Sequence, residues 1–129
     1  MPLASTLKVL IVDDQNSVRQ MTRMTLEELG ILTVHEAENG VDAFQTATLQ
    51  PIDLIISDFN MPEMDGLGLL RAVRGHAAIR KLPFILLTGR GDRELVVKAA
   101  QAGVNNYLVK PFTTAILRDK IEAVIGKLT

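Results

Sequence analysis

The 129-residue chain has the length of one globular domain, and 47% hydrophobic with 22% charged residues belongs to a folded protein rather than a disordered one. It has no cysteine, which excludes disulfides, thiolate catalysis, zinc–thiolate sites and iron–sulfur clusters, and its two histidines exclude a multi-histidine metal site. A formal net charge of -1 argues against sequence-independent nucleic-acid binding; with no apolar run near the ~20 residues of a membrane span and no signal-peptide pattern, the expected address is the cytoplasm.

Short β-branched runs alternate with longer amphipathic stretches along the chain. The first run, Lys8 to Val12, stops at Asp13-Asp14. Ser17 to Leu29 follows as a helix with Val18, Met21, Thr25 and Leu29 on one face, and Gly30 as its left-handed stop. A second run, Leu32 to Ala37, leads through the turn Asn39-Gly40 into a helix ending near Leu49. After Pro51 comes the run Ile52 to Ser57, closed by Asp58, and then the turn-rich FNMPEMDG before a helix from Leu67 to Arg74. Pro83 opens a fourth run that ends at Thr88. Gly89 to Gly91 break the chain before a helix from about Asp92 to Ala102, closed by Gly103. The fifth run, Asn106 to Val109, ends at Lys110-Pro111, and a last helix spans about Thr113 to Lys127.

This is a βα unit repeated five times. Runs one, three and four are almost continuously apolar, as parallel strands covered on both faces must be. The pattern predicts an α/β fold of the flavodoxin-like (βα)5 type, a doubly wound five-stranded parallel sheet filling residues 1–129 as one domain.

In such sheets, sites form beyond the carboxyl ends of the strands. The residues expected there are Asp13, Asp14, Asp58, Thr88 and Lys110. In the strand order 2-1-3-4-5, strands one and three are neighbours, so the three aspartates converge, and strands four and five bring a hydroxyl and an ammonium to the same edge. Crowded carboxylates repel unless a cation compensates. An all-oxygen, acid-rich site suits a hard divalent ion, Mg²⁺ above all. The set reads as phosphoryl chemistry, with Asp58 as nucleophile because it lies between the acidic pair and the Thr–Lys pair.

The same residues carry a resemblance. IVDD at Ile11 to Asp14, SDFNMPEMDGL at Ser57 to Leu67, LLT at Leu86 to Thr88 and AAQAG…YLVKPF through Phe112 are similar to the receiver domains of two-component response regulators, and most similar to single-domain chemotaxis regulators without an output domain. The order 2-1-3-4-5 comes with that resemblance. So do the roles it implies. Asp58 would be the phospho-acceptor, charged by a histidine kinase or a small donor such as acetyl phosphate. Asp14, Asp58 and the backbone carbonyl of Asn60 would ligate Mg²⁺, with Asp13 acting mainly through water. Lys110 and Thr88 would hold the phosphoryl group, and Tyr107 would move with Thr88 as a switch. The face of helix four, strand five and helix five would meet the target, the flagellar motor switch in the favoured branch. A monomer that catalyses only its own phosphorylation and dephosphorylation is expected, with a cis Lys110–Pro111 bond. A relay shuttle, phosphate sink or regulator of a non-motor target is the alternative.

Several readings compete residue by residue. Asp13 taken alone also reads as a helix cap, and Asp65-Gly66 as a turn and helix start. His35 and His76 read as structural or solvent-facing, and the methionines as core filler. Phe59 stands where such chemotaxis proteins commonly have Trp. Arg90 stands where they have Glu; with Asn60, it is expected to tune dephosphorylation. A flavin carrier is disfavoured because DDQNS puts two negative charges where a phosphate loop would lie. The D-x-D pattern of haloacid-dehalogenase-like phosphatases fails at Gln15, and no Walker or GxGxxG loop is present.

Overall fold

The computed structural model describes residues 3–89 and 93–129. After a short 3-10 turn at Ala4–Thr6, the chain runs β1 (Lys8–Val12), α1 (Asn16–Glu28), β2 (Thr33–Ala37), α2 (Gly40–Leu49), β3 (Leu54–Asp58) and α3 (Gly66–Gly75). It continues through β4 (Phe84–Thr88), α4 (Arg93–Gln101), β5 (Asn106–Val109) and α5 (Thr114–Ile125). All four strand pairings are parallel, in the order β2-β1-β3-β4-β5. The expected fold and strand order are both present.

Local chemistry explains where the elements begin and end. Three helices start on side-chain caps that satisfy otherwise unpaired amides: Asn39 accepts from the Asp42 N–H at 2.8 Å, Asp65 from Gly68 at 2.7 Å, and Thr113 from Ile116 at 3.1 Å. Gly30 and Gly103, at φ 86 and 93, follow α1 and α4 as expected. The last helix is shorter than the periodicity suggested, because Gly126 turns the chain out with φ 96. The third strand begins at Leu54, not Ile52. Asp53 instead clamps the start of β1, its carboxylate accepting from the Lys8 N–H at 2.8 Å while its own N–H donates to the Lys8 carbonyl at 2.7 Å.

Alternation along the strands divides the core in two. Leu10, Val12, Ile55, Phe84 and Leu86 face α2, α3 and α4, where Ala43, Leu70, Val73 and Ala99 meet them. Val9, Ile11, Ile56, Ile85, Leu87 and Leu108 face α1 and α5 through Leu26, Leu117 and Ile121. Side chains such as Leu10, Ile11, Ile55, Ile56 and Leu86 are fully buried, each contributing roughly 1.5–3 kcal/mol relative to exposure. This double cover is why the strands read as unbroken apolar runs.

Two expectations about packing are corrected. The inward stripe of α1 is Thr22 and Leu26, with Val18, Thr25 and Leu29 half-buried and Met21 exposed. Thr22 tolerates burial because its hydroxyl donates to the Val18 carbonyl at 2.9 Å. Met21 and Met24 are therefore surface residues, whereas Met61 and Met64 pack against the core as expected.

Candidate functional site at the carboxyl edge of the sheet

The register assembles the site. Val12 lies opposite Ser57, so Asp13 emerges beside Asp58; Asp58 lies opposite Leu87, and Thr88 opposite Val109, one residue before Lys110. The Lys110 N–H donates to the Thr88 carbonyl at 2.8 Å, extending the ladder to the last of these residues.

Oxygen atoms of Asp13, Asp14 and Asp58 lie within 4.8 Å of one another. Asp13 and Asp58 are buried, at 1% and 6% exposure, and Asp14 is exposed. The Lys110 ammonium reaches over from β5, with its Nζ 2.6 Å from Asp58 Oδ1 and 3.9 Å from Asp13 Oδ2. One ammonium cannot neutralise three carboxylates. Burial, followed by repulsion from Asp58 and Asp14, pushes the Asp13 carboxyl above its ordinary range, against the Gln15 amide and Lys110.

Asp13 carries both readings made of it. Its Oδ1 accepts from the Gln15 N–H at 2.9 Å, as a helix-start aspartate does, while its Oδ2 is buried without a hydrogen-bond partner. A buried acceptor without a donor is costly, and here it belongs to an all-oxygen cluster with excess negative charge. Those features fit a hard divalent cation. Among the described residues this is the one cluster of three such groups able to hold a metal.

The other expected residues surround it. Asn60 is exposed in the β3–α3 loop and lines a cleft with Asp14, Phe59 and Asp65. Thr88 is buried at the end of β4. Tyr107 is partly exposed and lies on the α4 side of the sheet, since Leu108 faces the other way. Thr88 and Tyr107 both line an open cavity of about 400 Å³, together with Arg93 and Val97. The Lys120 ammonium sits 5.0 Å from the Tyr107 ring centre, within cation–π range. The Lys110–Pro111 bond is cis. Arg90 lies outside the described residues. His35 is half-buried on β2, and His76 packs edge-on against Phe44, so neither joins the site.

Two contributors were not read from the sequence. Gly66 donates its N–H to the Phe59 carbonyl at 2.9 Å, and a Cβ there would overlap the Asp58 carbonyl oxygen. The Asp-Gly pair signalled a turn, but not that its glycine packs on the backbone of Asp58. The second is Arg19, which besides its helix neighbour Asn16 reaches the Asp13 carbonyl just past β1 and Glu36 on β2.

Comparison with known proteins agrees with this geometry. Residues 9–122 match the response regulator receiver domain. The chain belongs to that family, and is a phosphorylation-switched response regulator of two-component signalling. Within it, the chain is homologous to the CheY chemotaxis regulators. It is 48% identical to the Rhizobium etli protein named "Probable chemotaxis protein CheY", over 99% of each chain. Its structure is similar to that of CheY4 of Vibrio cholerae, with a TM-score of 0.82 at 36% identity over 90% of this chain and 96% of that one. It is also similar to the receiver domain of the sensor histidine kinase PA1611 of Pseudomonas aeruginosa, described with a magnesium ion in its active-site cleft. The TM-score there is 0.84 at 30% identity, over 94% of this chain and 98% of that one.

Proposed function

We propose that Asp58 is the phospho-acceptor, and that its phosphorylation switches a chemotaxis response through protein contacts. The observation that carries this is the Lys110–Asp58 pair, 2.6 Å apart, beside two further carboxylates at a sheet edge. In the transfer, an Asp58 carboxylate oxygen attacks phosphorus as the bond from phosphorus to the donor's nitrogen or oxygen breaks. The donor leaves with that electron pair. Asp13, Asp14, Asp58 and the Asn60 carbonyl would hold Mg²⁺, which when bound offsets the negative charge of the transferring group.

Lys110 has a role of its own. Its ammonium pairs with an Asp58 oxygen before transfer and with a phosphoryl oxygen after it, so one cation serves both states. Thr88 offers a hydroxyl from the adjoining strand. We assign Tyr107 as the group that follows Thr88 on phosphorylation, a reading supported by both residues lining the same open cavity. Asn60 and Arg90 tune loss of the phosphoryl group to water. The chain thereby catalyses only its own phosphorylation and dephosphorylation. A histidine kinase supplies the group, and the flagellar motor switch is the target we favour, in keeping with the CheY relatives. No helix among the described residues is long and apolar enough to cross a membrane, and we place the protein in the cytoplasm.

Intact-protein mass after incubation with acetyl phosphate and Mg²⁺ tests the core of this reading. One added phosphoryl group is expected, absent in Asp58→Asn and without metal. If neither an adduct nor beryllofluoride binding is found, the acceptor assignment falls.

A further inference from the structure

Asp13 is hydrogen-bonded at every polar group except Oδ2, which lies 3.9 Å from the Lys110 ammonium. Its N–H donates to the Ala37 carbonyl at 3.1 Å, and its Oδ1 accepts from Gln15. Its carbonyl accepts from Arg19 Nη1 at 2.6 Å. Only Oδ2 is left unbonded and buried. Because a peptide unit is planar, fixing the Asp13 carbonyl also fixes the start of Asp14. That contact thereby fixes the peptide plane from which both aspartates project just past β1.

Arg19 is built for that contact. Its side chain is 12% exposed, and its guanidinium is shared among three acceptors: the Asp13 carbonyl, Asn16 Oδ1 at 3.0 Å and Glu36 Oε1 at 3.1 Å. Glu36 projects from the neighbouring strand β2 and is also held by Arg23 at 2.7 Å. A flexible surface pair would fix little. A largely buried fork with acceptors just past β1, on α1 and on β2 ties these segments together around the Asp13–Asp14 peptide.

We propose that Arg19, oriented by Glu36, is a positioning residue for the divalent-metal site: it aims the Asp13–Asp14 carboxylates without touching the ion. The proposal rests on the reading that the acidic cluster holds Mg²⁺. It makes a prediction of opposite sign to simple electrostatics. Removing a positive charge near a cation site should tighten binding, whereas removing a positioning contact should weaken it.

The test is calorimetric titration of metal-free protein with MgCl₂, alongside thermal melts without metal, for the unaltered chain and for Arg19→Met, Arg19→Lys and Glu36→Gln. Arg19→Met is expected to weaken Mg²⁺ binding about tenfold at a temperature where it remains folded. Arg19→Lys should stay weakened, since an ammonium cannot span three fixed acceptors. Glu36→Gln should show a smaller loss in the same direction. Unchanged or tighter binding by folded Arg19→Met, or full rescue by lysine, overturns the proposal while leaving the metal reading intact. If Arg19→Met does not fold, Glu36→Gln decides, and unchanged affinity there overturns it. If the unaltered chain binds no Mg²⁺, the metal reading falls and takes the proposal with it.

Discussion

At the scale of the residue, Asp13 shows how the site trades stability for chemistry. Its carboxyl is buried beside two others, and its folded-state pKa is raised above the ordinary 3.8. An acid whose folded pKa is raised binds its proton more tightly in the folded state. Its contribution is therefore fully present below the unfolded pKa, and is lost as pH rises through the folded one. At neutral pH the metal-free protein bears the full penalty. Asp13→Asn should accordingly raise the melting temperature of metal-free protein at pH 7, with the gain shrinking as pH falls through the raised folded-state pKa and gone below the ordinary 3.8. The same substitution should reduce stabilisation by added Mg²⁺. Thermal melts across pH, with and without metal, check both; a loss of stability at pH 7 without metal would contradict the account.

At the scale of the element, the β3–α3 loop is tightly constrained. Glu63 adopts φ 66, a left-handed conformation that costs a non-glycine residue roughly 1–2 kcal/mol. Gly40, at the start of α2, comes so close to this loop that a Cβ would stand 2.6 Å from the Met64 carbonyl. Gly66 returns the chain onto the backbone of Asp58. The loop thus has α2 close against Met64 and its end folded back on Asp58, and the turn at Glu63 lies between the two strand and helix ends it joins. Glu63→Gly should stabilise the protein by up to about 1 kcal/mol, the relieved strain exceeding the added chain entropy. Glu63→Val should destabilise it by more than that, because a β-branched side chain fits this region least. Chemical denaturation of the two variants gives the comparison, and shifts of the same sign would show that Glu63 bears no strain.

At the scale of the whole molecule, the sheet joins two surfaces. The acidic site occupies its carboxyl edge, while Val97, Tyr107 and Val109 lie exposed on the flank formed by α4 and β5. Thr88 and Tyr107 line one cavity on this flank, and in the proposed switch a change at the first reaches the second through it. The core itself is closely packed and would resist gradual deformation. A coupling through this cavity predicts that beryllofluoride-treated protein co-purifies with a flagellar motor switch protein and untreated protein does not. Tyr107→Ala should weaken that capture without altering phosphorylation of Asp58. Equal capture in both states would exclude motor control by phosphorylation, and leave a relay or another target as the better assignment.

Much of this was legible before any coordinates. Apolar runs bounded by Asp13, Asp58, Thr88 and Lys110 determined the strands, the parallel sheet and which residues meet at its edge, because covered parallel strands and strand-end positions leave strong local patterns. Helix ends were marked by Asn39, Asp65, Thr113 and Gly30, whose backbone effects act within a few residues. What depended on distant packing was not legible. Periodicity along α1 placed Met21 inward; the sheet and α5 instead bury Thr22 and Leu26. Nothing local showed that Gly66 would press on Asp58, or that Arg19 would meet Glu36 and the Asp13 carbonyl. Hydrophobic pattern and capping are properties of neighbours in the chain, and the sequence alone determined what rested on them. The aim of the carboxylates, the strain at Glu63 and the orphaned oxygen of Asp13 arise where segments far apart in the chain meet, and only the tertiary structure decided those.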